Sequence, residues 1–182
     1  MKSALIFIIS TLAQLYLLVL LLRFWLPWLR ADFRNPAAQA ILRLTSPVVN
    51  PVRRILPPIG RVDTATVLIA FVIQYLTILV IVAISGNAAG VVPIVLTSIA
   101  DLGLLSLRIF IFAIFFRILL SWFAPGNVNP ATAILATITD PILLPFRRLI
   151  PSLGGFDISP IFALILLVAV SLVIIDVRPL QI

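Results

Sequence analysis

The sequence predicts an all-α membrane protein with four transmembrane helices, arranged as two parallel helix–interfacial loop–helix repeats. Three observations predict it. Of 182 residues, 63% are apolar and only 10% charged, against about 45–50% and about 25% in soluble domains. Four stretches are long and apolar enough to cross a bilayer, which takes about 20 mainly apolar residues in a helix that satisfies its own backbone. The chain also repeats itself at a fixed offset of 94 residues (117 − 23), so that Arg23 falls on Arg117, Trp28 on Trp122 and Asn35-Pro36 on Asn129-Pro130.

The first span, 5–28, follows a charged Lys2 and has the outline of a signal peptide. Its apolar run is longer than a usual signal core and no small-residue cleavage site follows. The offset settles the matter at the level of sequence, because this span is the counterpart of the third, an internal segment from about 97 to 122. The second span is 64–84 and the fourth runs from about 158 to 175. The repeats divide the chain at 1–90 and 91–182. Each crosses the membrane twice, so both have the same orientation and relate by an axis along the membrane normal.

Between the spans lie two loops. The first, 30–63, carries Arg30, Arg34, Arg43, Arg53, Arg54 and Arg61, and the second, 123–157, carries Arg147 and Arg148. The opposite side has Lys2, Arg178 and the uncharged turn 85–93. The positive-inside bias places both arginine loops in the cytoplasm of a bacterial inner membrane and both termini outside. Trp25, Trp28 and Trp122 fall at the arginine-side boundary, where amphipathic rings anchor.

In each loop an Asn-Pro pair opens a short helix, Asn as cap and Pro at its first position. Ala37, Ile41, Leu44 and Val48 then repeat on one face, and Ala131, Ile134, Leu135 and Ile138 do the same in the second loop. An arginine turn fenced by prolines follows. The prolines are expected to hold it to about one and a half turns. Val52, Ile55 and Leu56 would gather on one side with Arg53 and Arg54 on the other, and Phe146, Leu149 and Ile150 would do so around Arg147 and Arg148. Such an element lies in the interface with its cations at headgroup level.

The motif P-x-x-x-P-x-R-R-x-x-P followed by G-x-x-D covers Pro47 to Asp63 and again Pro141 to Asp157, with R-x-x-x-x-W ahead of each loop. At these residues the chain resembles the YggT family of bacterial membrane proteins and its YlmG-type and plastid relatives, as two tandem repeats along nearly the whole length. The resemblance implies a role in envelope or cell-division processes. Plastid relatives are linked with haem attachment, and others with osmotic tolerance or ion uptake. It implies no catalytic residue set. The halves depart from strict repetition where Asn50 meets Leu144 and Arg61 meets Gly155, which makes the first loop the more basic.

The composition narrows the chemistry. The chain has no Cys, His or Glu and a single Met at its start, so the usual ligands of zinc, haem and iron–sulfur clusters are missing, as are most general acid–base groups. No catalytic, cofactor or metal site is expected. The formal charge of +7 is spread in short runs between apolar spans. That suits anionic lipid rather than nucleic acid.

Arg53, Arg54, Arg147 and Arg148 are candidate contacts for lipid headgroups or for an acidic segment of a membrane partner, since Arg offers a planar bidentate fork. Asp63 and Asp157 are candidate caps of the second and fourth spans and acceptors for the nearby arginines. Arg23 and Arg117 are expected to snorkel to the interface. Arg108 sits near mid-span, where insertion costs about 2.5–3.5 kcal/mol and a functional partner is the default expectation. Asp101, two turns away, is one candidate partner, and Gln14 and Gln74 are polar residues of other spans at comparable depth. A polar clasp between bundled helices would also account for them.

Two functions follow. One is a non-enzymatic assembly or scaffold protein acting through its cytoplasmic arginine turns. The alternative is a transporter or channel for a small ion or osmolyte, which would need a homo-oligomer because four spans offer few polar positions.

Overall fold

The computed structural model describes residues 1–86, 88–123, 129–150 and 157–180. Pro151, Gly154 and Gly155, where part of the second loop's register falls, lie outside them, as does the side chain of Trp122. Among the described residues the chain forms six helices: α1 (Lys2–Trp28), α2 (Pro36–Arg53), α3 (Thr64–Ser85), α4 (Val91–Phe123), α5 (Pro130–Leu149) and α6 (Ser159–Val177). The helices α1, α3, α4 and α6 are long and apolar enough to span a membrane, and they are apolar all round, as lipid-surrounded helices are. Gly86, with φ +77°, ends α3 in the left-handed conformation that glycine tolerates best. The third span begins earlier than hydropathy alone suggests, at Val91.

The two repeats are built on the same three packing positions. Leu20 of α1, Val49 of α2 and Ile69 of α3 are buried in one cluster. Ile114 of α4, Leu143 of α5 and Ala163 of α6 are buried in another. Each residue of the second set lies 94 positions after its mate (114 − 20, 143 − 49, 163 − 69). In each half the loop helix therefore lies across the two spans and locks onto both. The halves join where α3 and α1 meet α4 and, at a second seam, where α2 meets α5. At that second seam the Asn35 side-chain amide donates to the Pro130 carbonyl at 2.8 Å.

The proline-bounded turn expected from the sequence does not form. Pro47 and Pro51 are inside α2, and Pro141 and Pro145 are inside α5. All four prolines are exposed. They sit four residues apart, so the ladder bonds they remove fall on one outward strip, where solvent can satisfy the freed carbonyls and the helix continues. The packing face of α2 is also rotated from the expected one. Ala38, Thr45 and Val49 are buried, whereas Leu44 and Val48 are exposed. Trp25 also makes a contact within the fold. It packs edge-on against Phe110 of the other repeat, with ring centroids 4.9 Å apart.

Candidate functional site

The residues of the repeated motif fold back on one another. α1 brings Arg23 to the level where α2 crosses it and α3 begins, and the guanidinium is only 3% exposed. Its Nη1 donates to the Thr45 hydroxyl at 2.8 Å and the Ser46 hydroxyl at 3.2 Å, and its Nε faces Asp63 Oδ2 at 3.5 Å. Arg23 therefore does not snorkel: a threonine, a serine and a carboxylate give its charge a buried partner set, as a buried charge requires. From the last turn of α2, Arg53 donates to the same Asp63 oxygen at 2.6 Å. Asp63 is the N-cap of α3 and accepts from the Thr66 backbone N–H and, at 2.8 Å, from the Thr66 hydroxyl.

The second repeat builds the same knot with one addition. Arg117 donates to Thr139, the register mate of Thr45, and to Asp140, which stands where the first half has Ser46. Arg147 donates to Asp157 at 2.8 Å and reaches Asp140 at 3.4 Å. Asp157 stands one residue before the N-cap position of α6, held by Ile158, and accepts from the Ser159 N–H at 3.0 Å. Its placement differs from that of Asp63 because α6 starts two residues after the aspartate and α3 only one. The first knot has two arginines against one aspartate, a net charge of +1. The second has two against two and is neutral.

Both carboxyls titrate below the ordinary range. Burial of Asp63 works against its ionisation more than any other influence, but the Thr66 hydroxyl and N–H and the Arg53 guanidinium together outweigh it. For Asp157 a weaker burial is outweighed by Ser159 and Arg147.

The pairs Arg53-Arg54 and Arg147-Arg148 are split. Arg53 and Arg147 turn inward to the aspartates rather than outward. Arg54 and Arg148 are exposed and make no hydrogen bond or ion pair with the described residues. Beside them Ile55 is 81% exposed and Leu149 80% exposed. Ile55 and Leu56 thus do not gather with Val52, which packs into the first core cluster. Phe146 does pack inward, on the second.

The polar residues of the spans meet elsewhere. A cavity of about 290 Å³ opens among α1, α3 and α4, and Gln14, Gln74, Asp101, Arg108 and Arg178 line it. Asp101 is not the partner of Arg108. Its Oδ2 accepts from Gln74 at 2.9 Å and its Oδ1 from Arg178 at 2.8 Å, which ties α3 and α4 to the residue that follows α6. Among the described residues no three carboxylates converge as a metal ion would need.

Comparison with known proteins gives the family. The model of the CCB3/YggT family matches twice, over residues 2–84 and 96–178. The chain belongs to the CCB3/YggT family. An uncharacterized Pseudomonas aeruginosa protein is 42% identical over 178 residues, 97% of this chain and 90% of its own length. The uncharacterized protein YggT of Escherichia coli K12 is 34% identical over 180 residues, 96% of this chain and 91% of its own. A chloroplastic YlmG homolog of Arabidopsis thaliana is 48% identical over 54 residues, which cover 28% of this chain. No solved structure matches.

For this CCB3/YggT chain, sequence reasoning singled out the arginines and aspartates of the motif but missed the hydroxyls that bind Arg23 and Arg117. A signal for them was present. Thr45 and Thr139 stand in register 94 residues apart (139 − 45), each four residues before a buried packing position.

Proposed function

We propose that this protein is a non-enzymatic multi-pass scaffold of the bacterial inner membrane, and that its arginine-bearing face, turned to the cytoplasm, holds anionic lipid and an acidic segment of a membrane partner. One observation carries the reading: each repeat commits one arginine of its pair to the fold and leaves the next one without a bond to the described residues, beside an exposed apolar side chain, Arg54 with Ile55 and Arg148 with Leu149. An apolar side chain that enters the acyl boundary next to a cation at headgroup level is the chemistry of an interfacial anchor. Arg supplies in addition the fork that a carboxylate recognises. Its occurrence twice at matched positions favours a bivalent contact.

The test is recovery of the protein in native lipid particles, with lipids and proteins identified by mass spectrometry. Changing Arg54 and Arg148 together to Ala is expected to abolish association with one specific partner and to reduce retained anionic lipid, with thermal stability unchanged. Association unaltered by that change overturns the reading. A second reading, an oligomeric transporter or channel for a small ion or osmolyte, is favoured by the polar cavity between α1, α3 and α4. It predicts flux in reconstituted vesicles that Arg108→Leu removes.

A further inference from the structure

The cavity among α1, α3 and α4 has a charge that its own residues leave open. Two arginines, Arg108 and Arg178, and one aspartate, Asp101, line it. Both oxygens of Asp101 are engaged, one by Gln74 and the other by Arg178. Arg108 stands seven residues along α4 from Asp101 (108 − 101) and makes no hydrogen bond or ion pair with the described residues. Gln14 of α1 lines the same cavity, and its side-chain amide makes no bond with the described residues. The clasp of Gln74, Asp101 and Arg178 holds the walls together, and Arg108 and Gln14 are left over as donors.

Depth follows from helical rise. Arg108 precedes Arg117 by nine residues, and Gln14 precedes Arg23 by nine (117 − 108, 23 − 14), so both lie about 13 Å inside the level of the arginine knots. Asp101 lies a further seven residues toward the opposite face, about 10 Å more, and Arg178 comes just after the end of α6. The cavity therefore runs from mid-depth toward the face that carries the termini. The rest of the wall is mostly apolar, with Ile78, Leu104 and Leu105 beside Ser10 and Thr77, whose hydroxyls donate to carbonyls of their own helices. A volume of about 290 Å³ is at the small end of ligand sites, enough for one small anion or one headgroup.

We propose that this vestibule binds a singly charged oxyanion, a carboxylate or phosphate group, with the Arg108 guanidinium as its receptor and the Gln14 amide as second donor. One negative charge balances the one excess positive charge of the lining. A planar guanidinium takes two oxygens of such a group at once. The apolar wall accepts whatever alkyl portion the anion carries. Two sources supply this chemistry, the headgroup of an anionic lipid and a free anion entering from the side of the termini. The inference is independent of the arginine turns, which lie at the other end of the spans.

The repeat supplies the variant. The register mate of Arg108 is Gln14 (108 − 94), so glutamine is a residue this fold already carries at that depth, and Arg108→Gln removes the charge with a side chain the site accepts. The whole protein, purified in an uncharged detergent and stripped of lipid, is titrated separately with phosphatidylglycerol, with phosphatidylethanolamine and with inorganic phosphate. Native mass spectrometry and thermal unfolding are the readouts. In the Arg54→Ala, Arg148→Ala background, which lacks the lipid contacts proposed for the arginine turns, one phosphatidylglycerol or one phosphate is expected per chain, with binding at least about tenfold weaker when Arg108→Gln is added. Binding of phosphatidylglycerol alone identifies the headgroup, and binding of phosphate alone a free anion; either supports the site. If Arg108→Gln does not fold, Gln14→Leu carries the test and is expected to weaken the same binding. Absence of binding by both anions, or binding that neither variant weakens, overturns the proposal.

Discussion

Arg53 and Asp63, ten residues apart, are joined at 2.6 Å, and that bond fastens the last turn of α2 to the first turn of α3. The same carboxylate oxygen faces Arg23 of α1 at 3.5 Å, so a single aspartate holds three elements of the repeat. Asn still caps a helix well. Asp63→Asn therefore keeps the cap and removes the charge, leaving Arg23 buried without its counter-ion. A loss of about 3 kcal/mol is expected, measured as a lowered thermal midpoint in lipid nanodiscs. Asp157→Asn, at an exposed carboxylate with Asp140 nearby, is expected to cost under about 1 kcal/mol. Equal losses at the two sites would contradict the division into a buried and an exposed knot.

Neighbouring arginines should respond differently. Arg53→Gln is expected to lower stability by about 1–2 kcal/mol, since it removes a charge-assisted bond to a buried acceptor. Arg54→Gln loses no bond to the described residues and is expected to stay within about 0.5 kcal/mol of the parent. Thermal unfolding of the two variants side by side decides it.

The difference between the knots can be exchanged. Ser46→Asp gives Arg23 the carboxylate that Arg117 has in Asp140, and about 1 kcal/mol of stabilisation is expected. Asp140→Ser makes the second knot resemble the first and is expected to lower the midpoint by a similar amount. A destabilised Ser46→Asp would show that the first knot has no room for a second negative charge.

Acid should weaken the fold through these carboxyls. Asp63 and Asp157 titrate below their ordinary value of 3.8 in the folded chain. Their contribution is fully present above that value and is lost as pH falls through the lower folded values. Stability measured from pH 6 downward is therefore expected to be flat to about pH 4 and to fall below it. The fall should be shallower in Asp63→Asn.

The spans, the duplication and the Asn-Pro helix starts were legible because each is a local pattern: a run of apolar residues, an offset, a cap followed by proline. Helix α2 was misjudged because proline in isolation stops helices, and only the fold shows that Pro47 and Pro51 share an outward strip. Arg23 was misjudged because its partners come from two other elements, α2 and the start of α3, with Asp63 40 residues away. Arg178, 77 residues from Asp101, was invisible to any search along one helix. Sequence offered Arg108 the only acidic residue on its own face, and the fold gave that residue to others.

The buried knot also imposes an order on biosynthesis. Arg23 leaves the ribosome 40 residues ahead of Asp63, about 2–8 s earlier at ordinary elongation rates. During that interval α1 holds a cation for which its counter-charge does not yet exist, so its final seating waits for the start of α3. The second repeat has a shorter wait, since Asp140 follows Arg117 by only 23 residues. The first helix to be made is thus held longest from its final position, and the unit that the insertion machinery completes is the whole repeat rather than the single span.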